Sequence, residues 1–446
     1  MKKPHVFYLH THDSGRYWSP YGYALPTPNI MELAKDSLLF RHCYATAPTC
    51  SPSRSGLLTG LYPHENGMLG LAHRGFQLND YKEHLVHHLK ENGIHTLLCG
   101  IQHVAPDYAM IGYDEVVGSQ EVSMGSTERS MEDWDKANTD DLCAYLKQYN
   151  QQKSLFVSMG WFNTHREFPD DKREFSQDYL APPLPLYDCE ENRKDMAGYH
   201  KSVHIVDECL GRLIETLHET GLYDSSIIIM TTDHGIAFPK MKCNLYDTGI
   251  GVACLLKYPG NPKKGKATDA LVSHLDIIPT LCDLLDIPKP SHGRGFSLKP
   301  LLEGETDEVR QEVFAEINYH AAYEPIRCVR TNRYKLIRHY DTHGGIVPAN
   351  IDESLSKEFL MSHGLRERKH VKEYLFDLYQ DPMERENLAT EQKYLATRSA
   401  LREKLDTWMQ STHDPLLQYG ERIPKPIKAQ INRLSCENAR IEDYED

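Results

Sequence analysis

Short apolar runs alternate with amphipathic helical patterns through the first two-thirds of the chain, and this restricts the fold more than any other feature. The runs lie at residues 5–10, 95–99, 154–159, 226–231 and 251–256. Apolar residues in succession, rather than every second one, mark strands covered on both faces. Between the runs lie helical patterns at 29–37, 79–92, 140–149 and 200–220. In the last of these, Val203, Val206, Leu210, Leu213, Ile214 and Leu217 fall at helical spacing. Alternation of this kind predicts an α/β fold, with a large, mostly parallel sheet enclosed by helices. From about Val309 the pattern changes. Residues 312–317, 326–331 and 334–339 read as strands in quick succession, followed by a helix near 391–409. The expected organisation is a large α/β domain over 1–308 and a C-terminal α+β subdomain and tail over 309–446. In that subdomain a smaller antiparallel sheet carries one helix. Residues 183–192 and the tail after Thr412, rich in proline and charge, read as loops.

Composition narrows the class of function. Apolar residues make up 40% and charged residues 26% of 446, which supports a folded core. A net charge of −14 argues against a nucleic-acid surface, and no apolar window is long enough for a membrane helix. The eleven cysteines show neither metal-ligand nor disulfide-scaffold spacing. With no secretory apolar region near Met1, they point to a reduced, cytoplasmic chain.

The chemistry collects where strands end. In open α/β sheets, ligands bind beyond the carboxyl ends of the strands. His10-Thr11-His12-Asp13 follows the first run, His103 the second, His165 the third, and Asp233-His234 the fourth. Any one of these could merely cap a turn, but four together predict a single polar site. The strongest local signal is Thr49-Cys50-Ser51-Pro52-Ser53-Arg54, continuing to Thr59-Gly60. Pro52 suits a first helical turn and Gly60 a C-terminal stop. Cys50 is therefore expected at a helix N-terminus, where backbone N–H groups favour an anion. Arg54, one turn on, is expected to share that anion.

These residues resemble the signature of type I, formylglycine-dependent sulfatases, C-x-P-x-R followed by T-G. The resemblance extends along the chain. His274-Leu275-Asp276-Ile277-Ile278-Pro279-Thr280-Leu281 is similar to the family's D-x-x-P-T-L segment. Leu375-Phe376-Asp377-Leu378, Asp381-Pro382-Met383-Glu384 and Asn387-Leu388 are similar to its C-terminal motifs, and residues 316–337 resemble N-sulfoglucosamine sulfohydrolases. The resemblance implies an alkaline-phosphatase-like catalytic domain over 1–308 and hydrolysis of a sulfate ester or N-sulfate, on a sulfated sugar. It implies that a formylglycine-generating maturation enzyme converts Cys50 to formylglycine. It also implies a divalent metal, calcium first and manganese or zinc next, held by Asp13, Asp233, His234 and the modified Cys50, with His12 adjacent. In the same scheme Arg54 belongs to the catalytic set, His103 is a base, His165 donates the leaving-group proton, and Lys242 grips the sulfate.

Two positions depart from the family pattern. The first acid of the metal pair is His12, a softer ligand than carboxylate. The lysine of G-K-x-H is Ile101, so a positive charge near the sulfate is replaced, with Gln102, Lys240 or Arg330 as candidates to compensate. Two other functions fit these residues: a phosphate or phosphonate monoester hydrolase of the same superfamily, and a catalytically retired protein that binds sulfated glycans. Leaving-group selectivity is expected from loops within 166–192 and from the C-terminal sheet.

Overall fold

The computed structural model describes residues 3–119, 130–150, 152–169, 176–341 and 344–420. Its strands are β1 (His5–Thr11), β2 (Leu38–Tyr44), β3 (His95–Gly100), β4 (Glu115–Val117), β5 (Leu155–Gly160), β6 (Ser226–Thr232), β7 (Gly251–Val252), β8 (Cys254–Lys257) and β9 (Lys266–Ser273) in one sheet. A second sheet is made of β10 (Glu312–Tyr319), β11 (Tyr323–Thr331), β12 (Tyr334–His339) and β13 (Glu373–Asp377).

The large sheet runs β4-β3-β5-β1-β6-β8-β2-β7, with β9 paired to β2. Its left half, β4-β3-β5-β1-β6, is parallel throughout. On the right, β8 is antiparallel to both β6 and β2, while β9 pairs β2 in parallel. The four apolar runs at 5–10, 95–99, 154–159 and 226–231 become β1, β3, β5 and β6. All seven residues of β1 are buried, as a strand at the centre of such a sheet requires. The fifth run is two strands, not one. At Ala253 the backbone N–H turns away to the carbonyl of Gly15, so β7 pairs β2 while β8 goes on to join β6.

Helices cover both faces. The longest, Glu190–Glu219, buries Val203, Val206, Leu210, Leu213 and Leu217, and begins ten residues earlier than its apolar stripe alone suggests. Glu190 and Glu191 lie in its first turn, where acidic charge complements the helix dipole. The helix expected at 140–149 runs from Met131 to Gln148, capped by the Ser130 side chain on the N–H of Asp133. The pattern at 79–92 is only partly helical, with Leu85–Glu91 as the helix.

The second sheet is antiparallel in the order β10-β11-β12-β13 and carries the helix Leu395–Ser411, which buries Leu401, Leu405, Trp408 and Met409. The segments likened to family motifs are cross-links. Asp276 binds the guanidinium of Arg310 and the N–H groups of Ser273 and Phe296. Asp247 meets Lys335 of β12 at 2.7 Å and Arg330 of β11 at 3.2 Å, and Lys335 also reaches Glu384 at 2.8 Å. Asp377 pairs with Arg333 at 2.7 Å.

The deepest of these ties is centred on Arg327. Its guanidinium lies 2.6 Å from Asp414 and 3.3 Å from Glu316, and all three side chains are buried. Glu316 also accepts from the His64 backbone at 2.7 Å and meets its ring at 2.6 Å, tying the second sheet to the large domain. Burial opposes a charge on His64, but Glu316 outweighs it and holds the His64 pKa above its usual value. Removing one partner of a buried ion pair leaves an uncompensated charge. Arg327→Met is therefore expected to cost about 3–5 kcal/mol, seen as a lower urea midpoint. An unchanged midpoint would show that the network is not what fixes the second sheet.

Candidate active site

The site is built by the parallel half of the sheet. Because β1, β3, β5 and β6 point the same way, their carboxyl ends share one edge. The β1–β6 register pairs Thr11 with Thr232, so Asp13 and Asp233 leave the sheet side by side. The N–H of Asp13 then donates to Oδ1 of Asp233 at 2.8 Å. Close approach of β3 and β5 depends on glycine. A Cβ on Gly100 would lie 2.1 Å from the carbonyl of Gly160, and one on Gly160 would strike the His10 ring. Asp13 and His103 both adopt positive φ, +40° and +53°, a region non-glycine residues seldom occupy outside sites where geometry overrides it.

The helix Cys50–Thr59 drives its N-terminus into this edge. All ten residues are buried, and Gly60 ends it in the left-handed conformation at φ +73°. Cys50 Sγ lies 3.3 Å from His234 Nε2 and 3.9 Å from an oxygen of Asp13. Ser53 Oγ donates to the carbonyl of Asp233 at 2.5 Å, locking the helix to the β6 exit. Arg54 does not wait beside Cys50 for an anion. Its guanidinium reaches Oδ2 of Asp233 at 3.0 Å, the carbonyl of Thr11 at 2.9 Å and the ring of His10. It acts first as the counter-charge and anchor of Asp233.

Asp13, Cys50, Asp233 and His234 each offer a donor atom, and these four lie within 4.8 Å of one another. His234 Nδ1 meets the carbonyl of Gly235 at 2.9 Å, so Nδ1 carries a proton and Nε2 faces the cluster. Asp233 Oδ2 is buried and accepts no hydrogen bond from any described residue. Burial disfavours the Asp13 charge, but Lys242 and His234 hold its pKa below the usual range. His234 and Arg54 do the same, more strongly, for Asp233. Two ionised carboxylates and the Nε2 atom of an imidazole therefore face a common point, a donor set that fits a divalent cation. The Cys50 thiol is pushed well up, by burial first and then by Asp13 and Asp233, so the unmodified side chain is not a thiolate nucleophile.

His12 sits against this cluster. Its Nδ1 is 3.3 Å from Asp233 Oδ2, and neither ring nitrogen makes a hydrogen bond to a described residue. Burial, then Arg54, pushes its pKa down to about 3, so it is a neutral ring. His165 and His103 flank it, with ring centroids 5.3 and 5.6 Å away. The Nδ1 of His165 donates to the carbonyl of Arg166, which leaves its Nε2 as the working atom. Lys242 Nζ lies 2.9 Å from both Asp13 and Asp352.

Every residue assigned to the site from sequence is thus gathered at one strand edge. The proposed replacements for the missing lysine at position 101 are not. Gln102 spends its side chain on the N–H groups of Val104 and Ala105 and the carbonyl of Ala105. Arg330 is bound to Asp247 and stacked on Tyr44. Lys240 lines a cavity of about 800 Å³ with Arg368 and Arg385. The sequence reading missed His73, Asp352 and His320. His73 Nδ1 is 3.2 Å from His103 Nε2, and His320 lies 3.9 Å from Asp352. His73 and Asp352 belong to no strand exit or local motif, and His320 follows β10 of the second sheet rather than a strand of the parallel half, so only folding reveals them at this site.

Comparison with known proteins gives the family and the fold. The model of the sulfatase family matches residues 4–287, and that of the N-sulphoglucosamine sulphohydrolase C-terminal region matches 235–346. Human N-sulphoglucosamine sulphohydrolase is 28% identical over 88% of this chain and 87% of its own length. Two solved structures share the fold. A protein in complex with its substrate, D-glucosamine-2-N,6-O-disulfate, superposes with a TM-score of 0.73 at 19% identity, covering 93% of this chain and 99% of its own. The phosphonate monoester hydrolase of Agrobacterium radiobacter does so at 0.70 and 22%, covering 95% and 100%. With the family model spanning more than half of its length, the chain belongs to the sulfatase family and carries a C-terminal region of the N-sulphoglucosamine sulphohydrolase kind.

Proposed function

We propose that this sulfatase hydrolyses a sulfate ester or N-sulfate of a sulfated sugar, with Cys50 converted to formylglycine and a divalent cation, calcium first, held by Asp13, Asp233 and His234. The observation that carries the reading is the position of Cys50, at the first turn of a buried helix and 3.3 Å from His234. The relatives support the substrate class, since they include the human N-sulphoglucosamine sulphohydrolase and a Delta 4,5-hexuronate-2-O-sulfatase of Bacteroides thetaiotaomicron. When present, the modified residue supplies an oxygen nucleophile, and the cation draws charge from it and from the sulfuryl oxygens.

The chain's own residues do the rest. Arg54 fixes Asp233 and Lys242 fixes Asp13, so the carboxylates stay apart without the cation and need little rearrangement to bind it. Lys242 also brings positive charge to where the sulfuryl oxygens sit. His165, its Nδ1 tied to a carbonyl, presents Nε2 to the leaving oxygen or nitrogen and gives it a proton as the bond to sulfur breaks. His103, steadied by His73, takes a proton from the modified residue as sulfate is released. Of the loops within 166–192 expected to select the leaving group, residues 170–175 lie outside the described residues.

One observation favours a second reading. The similarity in fold to a phosphonate monoester hydrolase supports a phosphonate or phosphate ester as substrate at the same edge, and turnover of paired sulfate and phosphate esters separates the two. We also propose a cytoplasmic location and a division into units 1–308 and 309–446. The ten described cysteines are all free thiols, which suits a reducing compartment, and no described helix is long and apolar enough to cross a membrane.

Three outcomes test the reading. Cys50→Ala should abolish turnover while leaving the melting temperature close to that of the parent; retained turnover would refute the assignment. Chelation should remove activity, and added calcium should restore it, whereas undiminished activity in metal-free protein would rule out the cation. His165→Ala should slow sulfated sugars about 10²–10⁴-fold more than nitrophenyl sulfate, whose leaving group needs little protonation. Equal losses on both substrates would reassign His165 to binding.

A further inference from the structure

A second cluster of metal-ligating side chains lies in the C-terminal sheet, among elements that contribute none of the residues assigned to cation binding above. Glu324 is the second residue of β11, His339 the last of β12, and His370 stands three residues before β13. The β11–β12 register pairs Ile326 with His339. Alternate residues of a strand share a face, so Glu324, two before Ile326, is a diagonal neighbour of His339 on that face. The turn back into β13 then brings His370 over them, with the rings of His339 and His370 stacked at 4.3 Å between centroids.

One donor atom from each of the three residues lies within 4.8 Å of the others. Glu324 and His339 are each 7% exposed. Glu324 Oε1 lies 3.4 Å from His370 Nε2, yet this contact is not a hydrogen bond, and Nε2 makes none to any described residue. The other oxygen of Glu324 accepts from Asn350 Nδ2 at 2.9 Å. Asn350 is itself pinned by the N–H and carbonyl of Ala322, at 2.9 and 3.3 Å. The carboxylate is therefore oriented from behind, with one oxygen left toward an imidazole nitrogen that has no other partner. Such an arrangement of outer contacts is typical of built metal sites.

We propose that Glu324, His339 and His370 bind a zinc ion. Two imidazoles and one carboxylate make a donor set suited to Zn²⁺ and poorly suited to calcium. Zinc–ligand bonds of about 2.0–2.1 Å place tetrahedral donors roughly 3.3–3.4 Å apart, the spacing already present between Glu324 and His370. Glu324, Asn350 and His370 also line the cavity of about 800 Å³ that holds Lys240 and Arg368. The fourth position of the ion opens into that cavity, for water or an anionic ligand. By joining β11, β12 and the segment before β13, the ion stabilises the folded sheet as any ligand of the native state does.

The test compares zinc content in chelator-stripped protein reloaded with zinc, for the parent, His370→Gln and Glu324→Gln. The second variant keeps the side-chain shape and its acceptor for Asn350, so it reports even if the first fails to fold. Both variants should bind one equivalent less than the parent, or bind it about tenfold or more weakly. In addition, zinc should raise the melting temperature of the parent more than that of either variant. The variants should keep their calcium-supported turnover, because neither residue lies at the Cys50 edge. Equal zinc content and equal thermal shifts in all three proteins would overturn the proposal. Metal content and melting are read without turnover, so this outcome is separable from any failure of the sulfatase reading.

Discussion

Two buried carboxylates placed side by side are the constraint on which the rest of this structure turns. The register of β1 with β6 puts Asp13 and Asp233 at adjacent strand ends, and the hydrogen bond from the Asp13 N–H to Asp233 fixes their approach. Like charges in a desolvated place repel strongly unless compensated. The chain answers with Arg54 on one carboxylate and Lys242 on the other, and with His234 between them. Arg54 comes from the helix that carries Cys50, so the compensation of Asp233 and the placement of Cys50 are one structural event. Lys242 is in turn held by Asp352 from the C-terminal half. The antiparallel subdomain is thus part of the electrostatic frame, and the buried Arg327 network that docks it serves the site at a distance.

His12 shows how this frame differs from the pair of adjacent acids that the family resemblance implies at positions 12 and 13. A third acid at that position would add negative charge beside Asp233, which already draws on Arg54. The imidazole there is neutral, since burial and Arg54 disfavour its protonated form, so the pocket carries one negative charge fewer. None of Gln102, Lys240 and Arg330 supplies the positive charge that Ile101 lacks at this edge.

In the parallel half, β1, β3, β5 and β6 were legible because they are buried on both faces and so read as unbroken apolar runs, whereas the short edge strand β4, exposed in two of its three residues, was not. Nor was the antiparallel half. β2 carries the exposed Arg41 and half-buried His42 in its middle, and β9 begins with four residues that are largely exposed, so neither forms a run. The run at 251–256 concealed a break, since nothing in its composition marks the point where Ala253 turns to Gly15. The site was legible where chemistry coincided with strand ends and with the Cys50–Arg54 spacing. It was opaque where it depended on long-range contact: the commitment of Arg54 to Asp233, the support of His103 by His73, and the Asp352–Lys242 pair.

The central claim is that this carboxylate frame exists to serve a modified residue at position 50, and the covalent state of that residue is the most direct test. The measurement is peptide mass analysis of catalytically active protein, covering the segment that contains Cys50. The account predicts that the thiol is replaced by an aldehyde or its hydrate, in proportion to specific activity across preparations matured to different extents. Fully active protein carrying the unmodified thiol in every copy would contradict it.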